Sequence, residues 1–290
     1  MDPCGCPQAM PGRQSAGPTV VYHFAEKLTA KDVMEYGVVG VENTESVHRA
    51  VSLLLEMGLT GLPVTSRGRL VGAISQRRML RLVRKQECVS GRVADYMAEE
   101  VVTVDVDDPL PTVSTRLARS EFGCVPVLLR QRTLIGTVTR RDLIRVYAER
   151  LRPAPLDRHP HNSRPSPENT PGQSLLTLRP DTPLWEAMDL FVQHNVTGLV
   201  VVDERMTLLG IITERDLLQH CLHPCSPTRT VGSCMTTDVV AFDHKTDLDQ
   251  ICDCMIERDF DQAPMTEQGR LVGLIRRSDI LRSRMAAFKP

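Results

Sequence analysis

The sequence predicts a mixed α/β chain, α+β in its connectivity, built from four copies of one strand-helix-strand-strand-helix unit. Three observations predict it. Four stretches share one pattern: LVGAISQRRM from Leu70, LIGTVTRRDL from Leu134, LLGIITERDL from Leu208 and LVGLIRRSDI from Leu271. Each is an apolar run of strand type broken by one Gly, then a polar turn that opens a segment of helical apolar spacing. Their glycines, Gly72, Gly136, Gly210 and Gly273, stand 64, 74 and 63 residues apart, which signals a duplicated unit and then a duplicated pair. A second apolar strand precedes each stretch, at GLPVTS (Gly61), GCVPVLL (Gly123), TGLVVVD (Thr197) and DQAPMTE (Asp261), with Pro63, Pro126 and Pro264 aligned.

Taken in order, residues 1–26 are rich in Pro, Gly and Gln and read as a disordered tail. Cys4 and Cys6 in it form a Cys-x-Cys pair with no His or second Cys pair close by, so two reduced thiols are expected rather than a metal site. The first pair of units spans 27–150, divided at 88/89. It opens with LTAKDVMEYGVVGV, Leu28 to Val41, in which a short helix is expected to end at Met34. Similar openings recur at GRVADYMAEEVVTV (Gly91) and TVGSCMTTDVVAF (Thr230); the third unit lacks one. The first helix of each unit has a cap candidate in Thr44, Asp108 before Pro109, Thr182 before Pro183, and Thr246. Apolar residues then follow at helical spacing, as in Val47, Ala50, Val51 and Leu54, or Leu248, Ile251, Cys252 and Met255. A linker at 151–172 holds six prolines between Arg152 and Pro171, and its His159 and His161 read as solvated. The second pair spans 173–290, divided at 225/226.

Composition narrows the function classes. A chain of 290 residues with 41% hydrophobic residues supports about two ordinary domains. The net charge of −1 gives no global attraction to nucleic acid or a membrane surface. No apolar run reaches the length of a transmembrane span, and the N-terminus lacks the features of a secretory signal. Nine scattered cysteines suit a reducing compartment, so a cytoplasmic location is expected. There is no GxxxxGK[ST], GxSxG or HExxH motif, and neither a catalytic residue nor a metal site is assigned. The HCLHPC stretch, His220 to Cys225, fits no metal-ligand spacing and reads as a helix end.

Several first-turn positions of the four second helices hold Arg: Arg77 and Arg78, Arg140 and Arg141, Arg215, Arg276 and Arg277. A helix N-terminus already carries partial positive charge, so cations there point to an anionic ligand. The repeat layout with its G-h-h-[ST]-x-x-[DN] endings, h being apolar, resembles the cystathionine-beta-synthase-type repeat, or CBS domain, in four copies between about Leu28 and Met285. The resemblance implies two Bateman modules whose clefts bind AMP, ADP, ATP or S-adenosylmethionine as regulatory ligands, with no cofactor. In layout the chain is similar to the gamma subunits of AMP-activated protein kinase.

By that resemblance Asp142 and Asp216 contact ribose, Thr139 and Thr213 a hydroxyl or phosphate, and Arg140, Arg141 and Arg215 phosphate. The adenine is expected near Cys124 and Val125 in one repeat and Gly198 and Leu199 in another, where small residues leave room. The remaining sites are degenerate: Ser75 is followed by Arg78 where Asp is expected, and Arg276 stands in the hydroxyl position before Asp279. Guanidinium only donates, so Arg78 is suited to phosphate rather than to ribose. An alternative stays open, since [ST]-x-x-[DE] ahead of an apolar run is also a capping box that needs no ligand, and the arginines pair equally well with neighbouring acids. The reading is a non-catalytic nucleotide sensor acting on a regulated enzyme or transporter, assembled as a homodimer or as an internal pseudo-tetramer of repeats. A dimerisation scaffold with vestigial sites and a Cys-based redox or metal sensor are the alternatives.

Overall fold

The computed structural model describes residues 27–85, 89–130, 133–151, 175–221 and 229–285. The expectations for the tail with Cys4 and Cys6, for His159 and His161, and for most of the His220–Cys225 stretch lie outside the described residues.

The four units fold alike. After β1 (Glu35–Tyr36), the first unit lays β2 (Val41–Glu42) parallel to β3 (Gly61–Ser66), which pairs antiparallel with β4 (Arg69–Ser75). The helices Val47–Glu56 and Gln76–Lys85 follow β2 and β4. The second unit has β5 (Val104–Asp105), β6 (Cys124–Leu129) and β7 (Thr133–Thr139), with helices Leu110–Arg119 and Arg140–Val146. The third has β8 (Thr177–Leu178), β9 (Gly198–Val202) and β10 (Leu208–Thr213), with helices Leu184–His194 and Glu214–Cys221. The fourth has β11 (Phe242–Asp243), β12 (Gln262–Glu267) and β13 (Arg270–Arg276), with helices Leu248–Glu257 and Arg277–Met285. Two-residue turns at Arg67–Gly68 and Gln268–Gly269 close two of the hairpins with both residues at positive φ, which matches the twist of the strands.

The first helices begin one or two residues later than predicted. Their N-caps are Ser46, Pro109, Pro183 and Asp247. Ser46 Oγ accepts from the Arg49 amide at 3.2 Å, and Asp247 Oδ1 from the Asp249 amide at 2.8 Å. Two of the expected caps close the preceding turn instead: Asp108 accepts from the Asp105 amide at 2.9 Å and Thr182 from the Arg179 amide at 3.2 Å.

The glycines of the repeated stretches are where units cross. Each opening segment lies over the last strand of the unit it is paired with, so β1 pairs with β7, Ala98 bridges to Ala73, and Thr236 bridges to Ile211. A Cβ on Gly72 would meet Ala98 O at 2.6 Å and Met97 Sδ at 2.8 Å. At Gly136 it would meet Met34 Sδ at 2.6 Å, and at Gly210 Thr236 O at 2.7 Å and Met235 Sδ at 2.8 Å. Only a residue without a side chain lets the backbones approach so closely.

Two sheet pairings, β4–β7 at Arg69 with Thr133 and β1–β7 at Glu35 and Tyr36, join units 1 and 2 in a seven-stranded sheet. Units 3 and 4 meet through the Thr207–Arg270 bridge. The apolar clusters join the units the other way. Leu54, Leu62, Ile74 and Met79 of unit 1 share one core with Phe191, Leu199 and Leu217 of unit 3. Leu110, Val125, Leu143 and Ile144 of unit 2 share another with Ile251, Cys252, Met255 and Ala263 of unit 4. Burying each such side chain stabilises by about 1.5–3 kcal/mol, so the two pairs dock through their helices. Helix Gln76–Lys85 packs on Glu214–Cys221 and Leu184–His194, and helix Arg140–Val146 on Arg277–Met285 and Leu248–Glu257. Within the chain, unit 1 thus packs on unit 3 and unit 2 on unit 4. No helix among the described residues is long and apolar enough to cross a membrane.

Candidate functional site

In repeats 2, 3 and 4 the turn from last strand to second helix brings a carboxylate back onto the strand end. In repeat 2 the Thr139 amide and Oγ1 both donate to Asp142 Oδ2, at 2.8 and 2.7 Å, and the Asp142 amide donates to Thr139 Oγ1 at 3.4 Å. Thr213 and Asp216 of repeat 3 do the same at 2.8, 2.7 and 3.3 Å. These are capping boxes. They engage one carboxylate oxygen and leave the other, because Oδ1 of Asp142 and of Asp216 accepts no hydrogen bond among the described residues. Asp142 is only 3% exposed, so this oxygen is a fixed acceptor suited to hydroxyl donors.

The degenerate turns are put to structural use. Ser75 accepts from the Arg78 amide at 3.1 Å, and the Arg78 guanidinium donates to the carbonyls of Tyr96 and, at 2.9 Å, of Met97. Arg78, expected to be available to phosphate, instead clips the opening segment of repeat 2 onto repeat 1. In repeat 4 the Arg276 amide donates to Asp279 Oδ2 at 2.9 Å, so capping survives without a hydroxyl.

Most of the first-turn arginines are taken up by ties between repeats. Arg77 Nε donates to Glu214 Oε1 at 2.6 Å and its Nη1 to Asn195 Oδ1 at 2.8 Å. Arg141 pairs with Asp259, and Arg215 Nη2 donates to Leu55 O at 2.8 Å. Arg277, 5% exposed, is instead tied within repeat 4, to Met255 O, Asp259 and Asp261 at 2.9, 3.1 and 2.9 Å. The phosphate role expected of Arg141 and Arg215 therefore competes with contacts already made. Arg140 differs. Its guanidinium has no hydrogen bond or ion pair among the described residues, and Nη1 lies 3.6 Å from where a Cβ on Gly123 would stand. Burial pushes its pKa down, and the like charge of Arg77 pushes the same way. Burial pushes the Glu214 carboxyl up, against the pull of Arg77.

The expected adenine wall is only partly open. Val125 and Leu199 are wholly buried in the two helix-facing cores, so their side chains do not line a cleft. Cys124 is buried too, with its thiol 3.9 Å from Gly61 O and its pKa pushed up to about 12 by burial, which keeps it protonated. The room expected at Gly198 is filled by Gln262 of repeat 4, whose Nε2 donates to Thr197 Oγ1 at 3.2 Å. The Gln262 Oε1 is buried without a hydrogen-bond partner among the described residues. A cavity of about 400 Å³ lies elsewhere, between the Gly37, Val38 and Gly40 loop, Glu42, Thr65 and Leu134, and none of the turn residues line it. Among the described residues no group of three or more His, Cys, Asp or Glu could hold a metal ion.

Two features escaped the sequence reading. Of the residues directly after the hydroxyl position, Gln76, Glu214 and Arg277 are buried; Glu214 reaches repeat 1 through Arg77, while Gln76 and Arg277 bond to Leu59 O and to Met255 O, Asp259 and Asp261 of their own repeats. The methionines Met34, Met97 and Met235 cover the motif glycines. The second was visible in outline, since each opening carries one aligned Met.

Comparison with known proteins agrees with this architecture. A model of the CBS domain matches residues 30–85, 93–149, 171–223 and 231–286. Protein MJ1225 of Methanocaldococcus jannaschii is 24% identical over 195 residues, covering 66% of this chain and 69% of that one. Its crystal structure, described as that of a proposed archaeal homolog of g-AMPK, superposes with a TM-score of 0.72 at 20% identity over 88% of this chain and 99% of the other. A Pyrococcus horikoshii protein superposes with a TM-score of 0.57 at 23% identity, over 89% of this chain and 100% of the other. The chloroplastic CBS domain-containing protein CBSX2 of Arabidopsis thaliana is 26% identical over 204 residues, covering 58% of this chain and 83% of that one. With four matched repeats paired into two Bateman modules, this chain belongs to the CBS domain family.

Proposed function

We propose that the protein is a non-catalytic regulatory module that binds an adenine nucleotide at the Thr139–Asp142 turn of repeat 2 and the Thr213–Asp216 turn of repeat 3. The observation that carries this is the pairing of a fixed, half-used carboxylate with an unpartnered guanidinium on one helical turn, Asp142 with Arg140. A ribose diol donates to such an oxygen, and a phosphate accepts from such a guanidinium. Repeat 3 offers the carboxylate without the free cation, since Arg215 is tied to Leu55 and Glu214 to Arg77. It therefore suits a ligand with fewer charges, such as AMP or S-adenosylmethionine. Binding regulates a partner if it favours one docking of the two modules over another, because a ligand shifts an equilibrium only by its differential affinity.

Calorimetric titration of the full chain with AMP, ADP, ATP and S-adenosylmethionine tests the proposal. At least one ligand should bind, and Asp142→Asn should weaken it about tenfold or more, the worth of a hydrogen bond to a charged group. A scaffold with vestigial sites is the second reading, favoured by the filling of Gly198 by Gln262 and by the structural use of most arginines. Silence with all four ligands and no change in melting temperature would establish that reading in place of the first.

A further inference from the structure

The second strands of the four repeats begin with Gly61, Cys124, Gly198 and Gln262, which pair with the turn residues Ser75, Thr139, Thr213 and Arg276. Within each pair of repeats these positions meet. Cys124 Sγ lies 3.9 Å from Gly61 O, and the Gln262 carboxamide lies against Gly198. The two glycines are closed by different means. A Cβ on Gly61 would meet Phe122 O, a backbone atom, at 2.5 Å, whereas on Gly198 the three nearest atoms all belong to the Gln262 amide, at 2.3, 2.9 and 3.0 Å. The far end of a side chain can turn to another rotamer, and a backbone carbonyl cannot. Gln262 is also loosely held. Its Nε2 donates to Thr197 Oγ1 at 3.2 Å, while the residue is 7% exposed and its Oε1 is buried with no hydrogen-bond partner among the described residues. Leaving such an oxygen without a donor is costly, so a bound group that brings a donor is favoured there.

We infer that Gln262 of repeat 4 reads the base bound by repeat 3, turning off Gly198 so that Oε1 accepts from the exocyclic amine of a 6-aminopurine while Nε2 donates to a neighbouring ring nitrogen. The inference rests on the nucleotide reading of repeat 3 and adds to it the group that recognises the base. Gly198 pairs with Thr213, and the Thr213 hydroxyl donates to Asp216 Oδ2, so a nucleoside whose ribose sits on Asp216 Oδ1 extends its base toward this amide. A carboxamide presents an acceptor and a donor side by side, the complement of the adenine edge. Because Gln262 belongs to the neighbouring repeat, filling the repeat 3 site moves a side chain of repeat 4 and couples the two halves of the module.

The test compares AMP with purine riboside 5′-monophosphate, which lacks only the exocyclic amine, by calorimetric titration of the full chain carrying Asp142→Asn to weaken the repeat 2 site. AMP should bind about tenfold more tightly than the analogue, the worth of a buried oxygen left without its donor. Adding Gln262→Ala should bring the two ligands to within twofold of each other, whatever it does to their common affinity. If that variant does not fold, Gln262→Met, which fills the space without the amide, decides in its place. A preference below threefold in the Asp142→Asn chain, or one that stays above threefold without the amide, overturns the inference and leaves the nucleotide reading standing. AMP binding to wild type but not to the Asp142→Asn chain overturns it as well, since repeat 3 is then empty. Silence of both chains with AMP defeats the nucleotide reading and the inference together.

Discussion

Arg77 and Glu214, 137 residues apart in sequence, meet at 2.6 Å across the junction of repeats 1 and 3, with the carboxylate almost entirely out of water. Desolvation makes each partner dependent on the other. Arg77→Ala leaves a buried carboxylate uncompensated and should destabilise the chain by about 3–5 kcal/mol. Arg77→Met combined with Glu214→Leu should recover most of that loss. Chemical denaturation of the three variants checks this, and a cost below about 1 kcal/mol for Arg77→Ala would show the pair to be better solvated than the structure has it.

The Asp142 carboxylate caps a helix with one oxygen and presents the other, and two substitutions separate these tasks. Asp142→Ala removes both and should lower stability by about 1 kcal/mol, the usual worth of a cap. Asp142→Asn keeps an oxygen for the Thr139 amide, so its melting temperature should stay near wild type while nucleotide affinity falls. Equal loss of affinity and melting temperature in both variants would reduce Asp142 to a capping residue.

Gly136 lies beneath Met34 and Glu35, with Met34 Sδ 2.6 Å and Glu35 O 2.8 Å from the position a Cβ would take. Gly136→Val should force β1 off β7 and cost about 1–3 kcal/mol through overpacking. Hydrogen exchange should quicken first at Glu35 and Tyr36. Unaltered exchange there would mean that the crossing of opening segment and strand is looser than its distances imply.

The carboxylates at the junction of repeats 1 and 3 titrate in opposite senses. The hydrogen bond from Arg84, then its charge, holds Asp189 below its ordinary 3.8. Its contribution to stability is therefore complete above 3.8 and is lost as pH falls through the lowered value. Burial raises Glu214 above its ordinary 4.5, so its stabilising share is present at low pH and lost as pH rises through the raised value. The stability gap between wild type and Asp189→Asn should stay constant from neutral pH to about pH 5 and shrink below 3.8. Glu214→Gln should gain on wild type as pH climbs from 4.5. Thermal melts across that range read both slopes, and a common direction would contradict the assignment of their environments.

The repeat, the order of elements within it and the Thr–Asp spacing of the turns in repeats 2 and 3 were legible because they depend on residues a few positions apart. Apolar periodicity decides which face is buried, and a hydroxyl three residues before a carboxylate makes a capping box wherever a helix begins. The first-helix caps were placed slightly early because Asp108 and Thr182 are equally able to close the turn before the helix, and local sequence does not rank the two uses.

What the sequence determined by itself is thus the four-repeat architecture and the turns that carry Asp142 and Asp216. The tertiary structure alone decided which arginines stay available. Arg77, Arg141 and Arg277 find their acids in other repeats or beyond their own helix, while Arg140, in the same kind of position, finds none among the described residues. It also decided that Gln262 fills the space beside Gly198. The physical reason is common to both: ion pairing and cleft filling depend on distances between segments, and those are set only when the helices of one module bury their apolar faces against the other.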